Sequence, residues 1–305
     1  MTTDQLRALL CADPTAVLEA DDIIYSRQIG KTAAAIAANR DRRPVVLLAG
    51  PSGSGKTTTA LLLERALERQ GIETHTLQMD DWFVPLTPEE IVRMERNEMD
   101  LEMPERVDVP LFQQQLSQIL KGERVKLPRY NFRTSRREYD GRTLQRRPGE
   151  LVIIEGIHAL NPEVAGHLED TTRIYVSVRT RLTTRDGSVL HPSKIRLARR
   201  MIRDLKRRGR SLKDTLAMWE RVDAGEQNYI MPYKALAQCS IDTFYSTELG
   251  IYRPLLLEEL RGLLPAYPEL ADLVQVMDEL VDVGAGILPP DSLLREFVGG
   301  SELRY

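Results

Sequence analysis

Apolar and amphipathic segments alternate along this chain. Residues 45–49 and 151–154 are wholly apolar, which is typical of strands that are buried on both faces of a parallel sheet. Three further segments predict strands: residues 72–79, 173–178 and 240–244. Helical periodicity occurs at residues 57–70, 111–121, 193–208, 212–224 and 252–283. This alternation predicts an α/β fold in which helices cover both faces of a parallel β-sheet.

The remaining segments indicate how the chain is organised. Residues 84–110 are rich in Glu, Met and Pro and predict an irregular insertion with one short helix, while the basic residues 122–149 predict a small hairpin. The first 43 residues predict helices that form either a solvated linker or an accessory layer, since so few residues bury little core. We therefore expect an N-terminal helical extension at 1–43, a core at 44–250 and a C-terminal helical extension at 251–305.

Composition excludes several classes of protein. The chain has 305 residues and a formal net charge of −3, which argues against a protein that coats nucleic acid. Cys11 and Cys239 provide no disulfide framework, and neither they nor the four histidines have metal-ligand spacing. The N-terminus lacks the pattern of a signal peptide, and no apolar run is long enough to span a bilayer. We expect a cytoplasmic protein without a membrane partner.

A phosphate-binding motif follows the first predicted strand. The pattern G-x-x-x-x-G-K-[ST] is matched in full by Gly50, Pro51, Ser52, Gly53, Ser54, Gly55, Lys56 and Thr57. A strand before it and a helix after it distinguish such a loop from a chance match. Its backbone N–H groups and the positive end of the helix form an anion site, to which Thr58 also belongs. Lys56 is expected to reach the β- and γ-phosphates, and the Thr57 hydroxyl to hold Mg²⁺. The alternative, a turn that merely caps a helix, needs neither the lysine nor three glycines.

Acidic residues follow two other predicted strands. Asp80 and Asp81 come after residues 72–79, and Glu155 follows residues 151–154. In such sheets ligands bind beyond the carboxyl ends of the strands, where the phosphate-binding loop also lies. We expect Asp80 to accept a proton from a substrate hydroxyl and to contact Mg²⁺, with Asp81 as the competing assignment. Glu155 is expected to contact Mg²⁺ directly or through water. The alternatives are a helix N-cap for the aspartates and a solvated carboxylate for Glu155.

A strongly basic helix lies further along the chain. At 3.6 residues per turn Arg196, Arg199, Arg200 and Arg203 share one face, where like charges repel each other. A bound anion such as ATP would relieve this repulsion. Since Gly209 fits a C-cap that doubles as a hinge, we predict a mobile lid at about residues 193–210 that excludes water from the phosphates. A solvated charged face and a nucleic-acid patch are the alternatives.

Four blocks of the chain, taken in order, resemble the phosphoribulokinase/uridine kinase family of P-loop kinases. They are residues 50–57, 79–83 (MDDWF), 153–160 (IIEGIHAL) and 199–210. Residues 225–230 and 293–301 are similar to a bacterial uridine kinase-like subgroup. The resemblance implies Asp80 as the base on the acceptor hydroxyl and a Mg²⁺ shell completed by Thr57 and Glu155. It implies four lid cations: Arg200, Arg203, Arg208 and Arg210. It also leaves a homo-oligomer open, since related kinases are often oligomeric.

The acceptor side departs from the uridine kinase pattern. Uridine kinases surround the pyrimidine with a Y-D-F-x-x-H stretch, and here residues 130–135 read YNFRTS. Tyr130 and Phe132 therefore remain for stacking, while Ser135 stands where the histidine is expected. Glu102 takes the place of the aspartate that binds ribose, and Asp81 is assigned to the same side. The basic residues in and after this stretch predict either an anionic acceptor or a solvated hairpin; they are Arg133, Arg136 and Arg137.

Two classes of function fit these observations. The first is an ATP-dependent kinase that phosphorylates a hydroxyl of a small molecule, with the 5′-OH of uridine or cytidine as first candidate and another alcohol or sugar phosphate as the alternative. The second is a non-catalytic nucleotide-binding switch or scaffold. No xKxD motif or LSGGQ-like signature follows the loop, and a protein that only binds nucleotide needs neither Asp80 nor the lid. We therefore expect an enzyme that uses ATP, Mg²⁺ and a small acceptor.

Overall fold

The computed structural model describes residues 1–96, 98–166 and 169–303. Its centre is a parallel sheet with the strand order β5-β4-β1-β3-β2. These strands are β1 (Val45–Ala49), β2 (Thr74–Gln78), β3 (Leu151–Glu155), β4 (Thr171–Ser177) and β5 (Cys239–Asp242). In the strand register Glu155 pairs with Leu48 of β1 and with Gln78 of β2, so these three strands end at the same edge of the sheet.

Helices cover both faces of this sheet, which confirms the predicted α/β architecture. Val46 and Leu48 of β1 belong to one buried cluster and Val45 and Leu47 to another, because successive strand side chains point to opposite faces. The helices are α1 (Thr3–Ala12), α2 (Pro14–Ala38), α3 (Lys56–Glu68), α4 (Pro88–Glu95), α5 (Val109–Lys121), α6 (Pro162–Ala165), α7 (Pro192–Arg208), α8 (Leu212–Gly225), α9 (Glu248–Leu263), α10 (Ala271–Glu279) and α11 (Arg295–Val298).

The first two helices form a layer on the sheet and not a solvated linker. Leu6 and Leu18 are buried in the same cluster as Val46 and Leu48. The Tyr25 hydroxyl lies 2.8 Å from the Thr59 hydroxyl, so α2 contacts the helix that follows the phosphate-binding loop. The buried face of α2 includes the polar residues Asp21 and Thr32, so the sequence pattern of residues 1–43 alone does not reveal this packing.

The predicted hairpin at 122–149 consists of two small antiparallel sheets. Val125–Lys126 pairs with Thr143–Leu144, and Arg129–Asn131 pairs with Arg136–Glu138. In the insertion before it, α4 is the predicted short helix.

Some predicted ends differ from the observed ones. The strand predicted at 72–79 ends at Gln78, because Met79–Trp82 forms a 3₁₀ helix that carries both aspartates. The helix predicted at 252–283 is two helices, with a break after Leu263 near the prolines that predicted the interruption.

Candidate active site

The phosphate-binding loop has a shape that only glycine permits at three positions. A Cβ atom at Gly50 would lie 2.0 Å from the carbonyl oxygen of Val176 on β4. Gly53 and Gly55 have φ angles of 75° and 81°, in the left-handed region that favours glycine. Gly55 is also the N-cap of α3 and provides no side-chain hydrogen bond to it. Residue 55 therefore leaves the N–H groups of the first turn of α3 without a side-chain cap, and the anion site that the motif predicts there stays a prediction.

Two carboxyl groups lie beside this loop, the half-buried Asp80 after β2 and the buried Glu155 at the end of β3. Glu155 accepts a hydrogen bond of 2.9 Å from the Thr57 hydroxyl. Burial raises the pKa of Glu155 to about 7, against the opposing effect of Lys56, and the neighbouring Asp80 contributes to the rise. Burial likewise raises the pKa of Asp80 to about 6, again opposed by Lys56. The structure thus brings together Lys56, Thr57, Asp80 and Glu155, as the sequence predicts.

Gly156 and Met79, each of which directly follows one of the two strands, pack closely against each other. A Cβ atom at Gly156 would lie 2.5 Å from Cβ of Met79, so only glycine fits after Glu155. The aspartates lie within the 3₁₀ helix Met79–Trp82, whose N-cap is Gln78, so the N-cap alternative is wrong. Glu155 is 7% exposed, which excludes the solvated alternative for this carboxylate.

Two arginines of the basic face of α7, Arg196 and Arg199, are neutralised inside the protein, which corrects the expected repulsion for these two. Arg199 is wholly buried and binds Glu248 through Nε (2.7 Å) and Nη2 (2.9 Å). Arg196 forms an ion pair with the buried Glu226. Both arginines also donate to carbonyl oxygens of the phosphate-binding loop, Arg196 to Ser52 (3.1 Å) and Arg199 to Gly53 (3.2 Å). These arginines support the loop, and their acidic partners lie too far along the chain for a helical pattern to reveal them.

The last part of α7 carries the arginines assigned to the lid. Arg200 donates to the Ser52 hydroxyl (2.8 Å), and burial together with Arg203 lowers its pKa. The carboxylate of Asp204 lies 3.6, 3.1 and 3.3 Å from Arg200, Arg203 and Arg208, respectively. Three cations around one carboxylate leave an excess of positive charge beside the loop.

The predicted lid is firmly packed in its first part. Side chains are buried from Ile195 to Ile202 and exposed from Leu205 to Gly209, so only the last turn of α7 has the free surface that a lid requires. Gly209 is the C-cap in the left-handed conformation, as predicted. Arg210 lies beyond it, where Nη1 is 3.6 Å from Sδ of Met218.

Aromatic rings cluster on the acceptor side. The ring of Tyr130 lies 5.6 Å from that of Phe83 and 5.1 Å from that of Phe132. Tyr130 is buried and its hydroxyl accepts a hydrogen bond from Arg106, whereas 64% of Phe132 is exposed. Asp81 accepts a hydrogen bond of 3.0 Å from the Tyr130 backbone N–H. Asp81 therefore positions the hairpin, while Phe132 offers an open aromatic face.

Ser135 and Glu102 occupy different surroundings. Ser135 is buried with a φ angle of 52°, and its carbonyl oxygen accepts from the Leu86 N–H, so it shapes the turn of the hairpin. Glu102 is half-buried, and burial raises its pKa while Arg200 and Lys56 oppose the rise. A Cβ atom at Gly225 would lie 2.5 Å from Cβ of Glu102, so a residue larger than glycine at position 225 would clash with Glu102. Glu102 therefore faces the cations of the phosphate side.

Other residues near the acceptor side were not singled out by the sequence. The Arg106 guanidinium lies 5.5 Å from the centre of the Phe83 ring. The His158 ring is 6.4 Å from that of Tyr229, and burial lowers its pKa to about 4. The Tyr229 hydroxyl donates to Asp100 over 3.3 Å. No spacing in the sequence relates these residues, because they come from separate segments of the chain.

The strand order, the phosphate-binding loop after β1 and the carboxyl groups at the neighbouring strand ends define a P-loop kinase. The chain belongs to the phosphoribulokinase/uridine kinase family, whose sequence model matches residues 45–249. The family makes this protein a phosphotransferase that acts on an alcohol group, and not a nucleotide-binding switch.

The relatives of this chain include bacterial uridine kinases. The uridine kinase of Lactobacillus johnsonii is 29% identical over 178 residues, which are 58% of this chain and 75% of that protein. The uridine kinase of Lactiplantibacillus plantarum is 28% identical over 215 residues, 70% of this chain and 93% of that protein. A solved structure described as a possible uridine kinase from Bacillus stearothermophilus covers 71% of this chain and 98% of its own, at 21% identity and a TM-score of 0.46.

In the described part of this chain, no helix has both the length and the apolar character needed to cross a membrane.

Proposed function

We propose that this enzyme transfers the γ-phosphoryl group of ATP to the 5′-OH of uridine or cytidine. One observation supports phosphoryl transfer above all others. The residues Lys56, Thr57, Asp80 and Glu155 lie close together at the carboxyl ends of neighbouring strands. Phosphoryl transfer needs little beyond positioned phosphates, a base for the acceptor and cations for the transferring oxygens. Each of these requirements has a candidate within the kinase core, which we assign to residues 44–250.

Asp80 is the proposed base for the acceptor hydroxyl. A general base works best when its pKa lies near the operating pH, and burial raises the pKa of Asp80 to about 6. It is then ionised at neutral pH and still able to take a proton. Lys56 and the lid arginines Arg200 and Arg203 stabilise the charge on the transferring phosphoryl oxygens.

Thr57, Glu155 and Asp80 are the proposed ligands of Mg²⁺, directly or through water. One hydroxyl and two carboxyl groups are hard oxygen donors, which is the set that Mg²⁺ prefers. Burial raises the pKa of both carboxyl groups, so a bound cation would favour their charged forms. When bound, the ion would supply positive charge against the phosphate oxygens. These residues thus fit the cofactor that the family uses.

The aromatic cluster supports a nucleoside as the acceptor. Tyr130 lies on the hairpin strand that Asp81 binds, and Phe132 lies in the turn that follows this strand, so the acceptor surface is attached to the 3₁₀ helix that carries Asp80. Aromatic faces stack on any nucleobase, and the relatives named above are uridine kinases. Ser135 replaces the base-reading histidine, so we propose that stacking contributes more to recognition here than hydrogen bonds to the base edge.

The test is phosphorylation of a panel of acceptors by the full chain with ATP and Mg²⁺. The panel contains pyrimidine and purine nucleosides, sugars, polyols and sugar phosphates, and Asp80→Asn serves as the inactive control. We expect uridine or cytidine to give the highest kcat/KM. A higher kcat/KM for a sugar phosphate or another alcohol would show that the proposed acceptor is wrong, while the proposed kinase activity would stand. The absence of any product above the Asp80→Asn control would refute the roles assigned to this site.

A further inference from the structure

The C-terminal extension reaches the phosphate-binding loop. Glu296, on the short helix α11, accepts hydrogen bonds from the Thr58 backbone N–H (3.3 Å) and from the Thr58 hydroxyl (2.5 Å) through the same oxygen, Oε2. The two residues are 238 positions apart in the chain. Neither the triphosphate motif nor the carboxylates at the strand ends account for this contact.

The contact lies where a phosphate is expected. Thr58 is the third residue of α3, after Lys56 and Thr57, and the first N–H of α3 to bond within the helix belongs to Thr59, which donates to the Gly55 carbonyl. The N–H groups before it form the part of the loop that cradles phosphates. A carboxylate is an anion that the same N–H groups and the same helix dipole attract. Glu296 therefore occupies, from within the protein, a position that suits a phosphate of the nucleotide.

The segment that carries Glu296 is held by specific contacts. Residues 288–303 form the C-terminal clasp. Within it Arg295 donates to the carbonyl oxygens of Leu288 (2.6 Å) and Pro289 (3.3 Å), which fixes the turn before α11. Leu293 packs against Gly55, where an added Cβ atom would lie 2.9 Å from its Cδ1. These contacts of the clasp fix the position of the backbone that carries Glu296.

The clasp also contacts α7, the helix of the lid. The Arg207 guanidinium donates to the Arg295 carbonyl oxygen (3.3 Å), and the Arg199 guanidinium lies 5.1 Å from the centre of the Phe297 ring. An exposed ion pair, Arg65 with Glu302 (2.8 Å), joins the end of the clasp to α3. Glu296 thus belongs to a segment that contacts both helices next to the nucleotide site.

We propose that Glu296 sets the nucleotide affinity of this kinase by competing with a nucleotide phosphate for Thr58. Its carboxylate must leave Thr58 when the phosphate binds, since two anions cannot share the same donors. The apparent affinity of a site that is open for only part of the time is reduced by that fraction. A contact that is formed about nine-tenths of the time would weaken ATP binding about tenfold.

The experiment measures ATP binding by calorimetry, without any acceptor, so its result does not depend on the identity of the acceptor. Glu296→Gln preserves the shape of the side chain and an oxygen for Thr58 but removes the charge that competes with phosphate. Glu302→Gln is the matched control, because it makes the same change in the same segment away from Thr58. Inorganic triphosphate is titrated in parallel as a ligand that has phosphates only.

We expect Glu296→Gln to lower the Kd of ATP and of inorganic triphosphate by about tenfold, and Glu302→Gln to leave both unchanged. Glu296→Ala should tighten binding by at least as much as Glu296→Gln, and Tm measurements check that each variant is folded. An unchanged or higher Kd in a folded Glu296→Gln variant would overturn the proposal, because Glu296 would then be a helix cap or a ligand of the nucleotide.

Discussion

The phosphate side of the site, which comprises residues 50–58 and α7, differs in construction from the acceptor side, which comprises Glu102 and residues 130–135. On the phosphate side, backbone atoms form the binding surface, and ion pairs that include the fully buried Arg199–Glu248 pair support it. On the acceptor side, side chains form the surface, and Phe132 among them is 64% exposed.

This difference has a functional meaning. Every nucleoside triphosphate presents the same phosphates, so a rigid backbone cradle suits the phosphate side. Acceptors differ in shape and polarity, and side chains on a hairpin can change without disturbing the sheet. We expect substitutions on the phosphate side to affect stability and chemistry strongly, and substitutions on the acceptor side to change mainly the binding of the acceptor.

The largest effect is expected at the buried ion pair behind the loop. Arg199→Met leaves Glu248 buried without its partner, and breaking a buried pair in this way costs about 3–5 kcal/mol of unfolding free energy. Urea denaturation measures the loss. Lys206→Met is the control on an exposed position of the same helix, where we expect a change of at most about 0.5 kcal/mol.

The stability loss of Arg199→Met should also depend on pH. Burial raises the pKa of Glu248, and Arg199 opposes the rise, so its removal raises this pKa further. A carboxyl group with a raised pKa in the folded state costs stability once the pH exceeds its unfolded value, and the cost grows until the pH passes the folded value. We expect a smaller loss at pH 5 than at pH 8; an equal loss at both would contradict this account of Glu248.

The next largest effect concerns the chemistry at the loop. Lys56→Ala should lower kcat at least about 10²-fold, because it removes a charge that stabilises the transferring phosphoryl oxygens. Steady-state rates with the best acceptor of the panel measure this, with Tm as a check of folding. Near-normal turnover would refute the assigned role.

The lid arginines should affect catalysis more than affinity. Replacing Arg200 and Arg203 by Ala is expected to lower kcat about tenfold or more and to weaken ATP binding less, if they act on the transition state. Comparison of kcat with the calorimetric Kd of ATP separates the two. An equal loss in both quantities would make them ordinary binding groups.

The smallest effect is expected on the acceptor side. Phe132→Ala should raise the KM of a nucleoside acceptor about fivefold without changing kcat, since stacking of a base on an aromatic ring is worth about 1–3 kcal/mol and Phe132 is exposed. Tyr139→Ala is the control, because Tyr139 is also exposed on the hairpin. A large fall in kcat for Phe132→Ala would show that the two sides are not separable in this way.

The sequence alone predicts the core strands, the loop at residues 50–57 and the carboxylates Asp80 and Glu155. Strands that are wholly apolar are stable inside a sheet that is covered on both faces. The glycines of the loop are needed for local backbone conformations that other residues disfavour. Parallel strands then bring their carboxyl ends to one edge, so that residues more than seventy positions apart could be placed together without a structure.

The sequence does not predict which residues bind the buried charged side chains. Glu226, Glu248 and Glu296 bind Arg196, Arg199 and Thr58 across separations of 30 to 238 positions, and such pairs leave no periodic trace in a single chain. The prediction of a repelling arginine face failed for Arg196 and Arg199 for this reason, whereas Arg200 and Arg203 still repel each other. Helical spacing determines which side chains share a face, but only the packing of α8, α9 and α11 around that face decides which charges remain for a ligand.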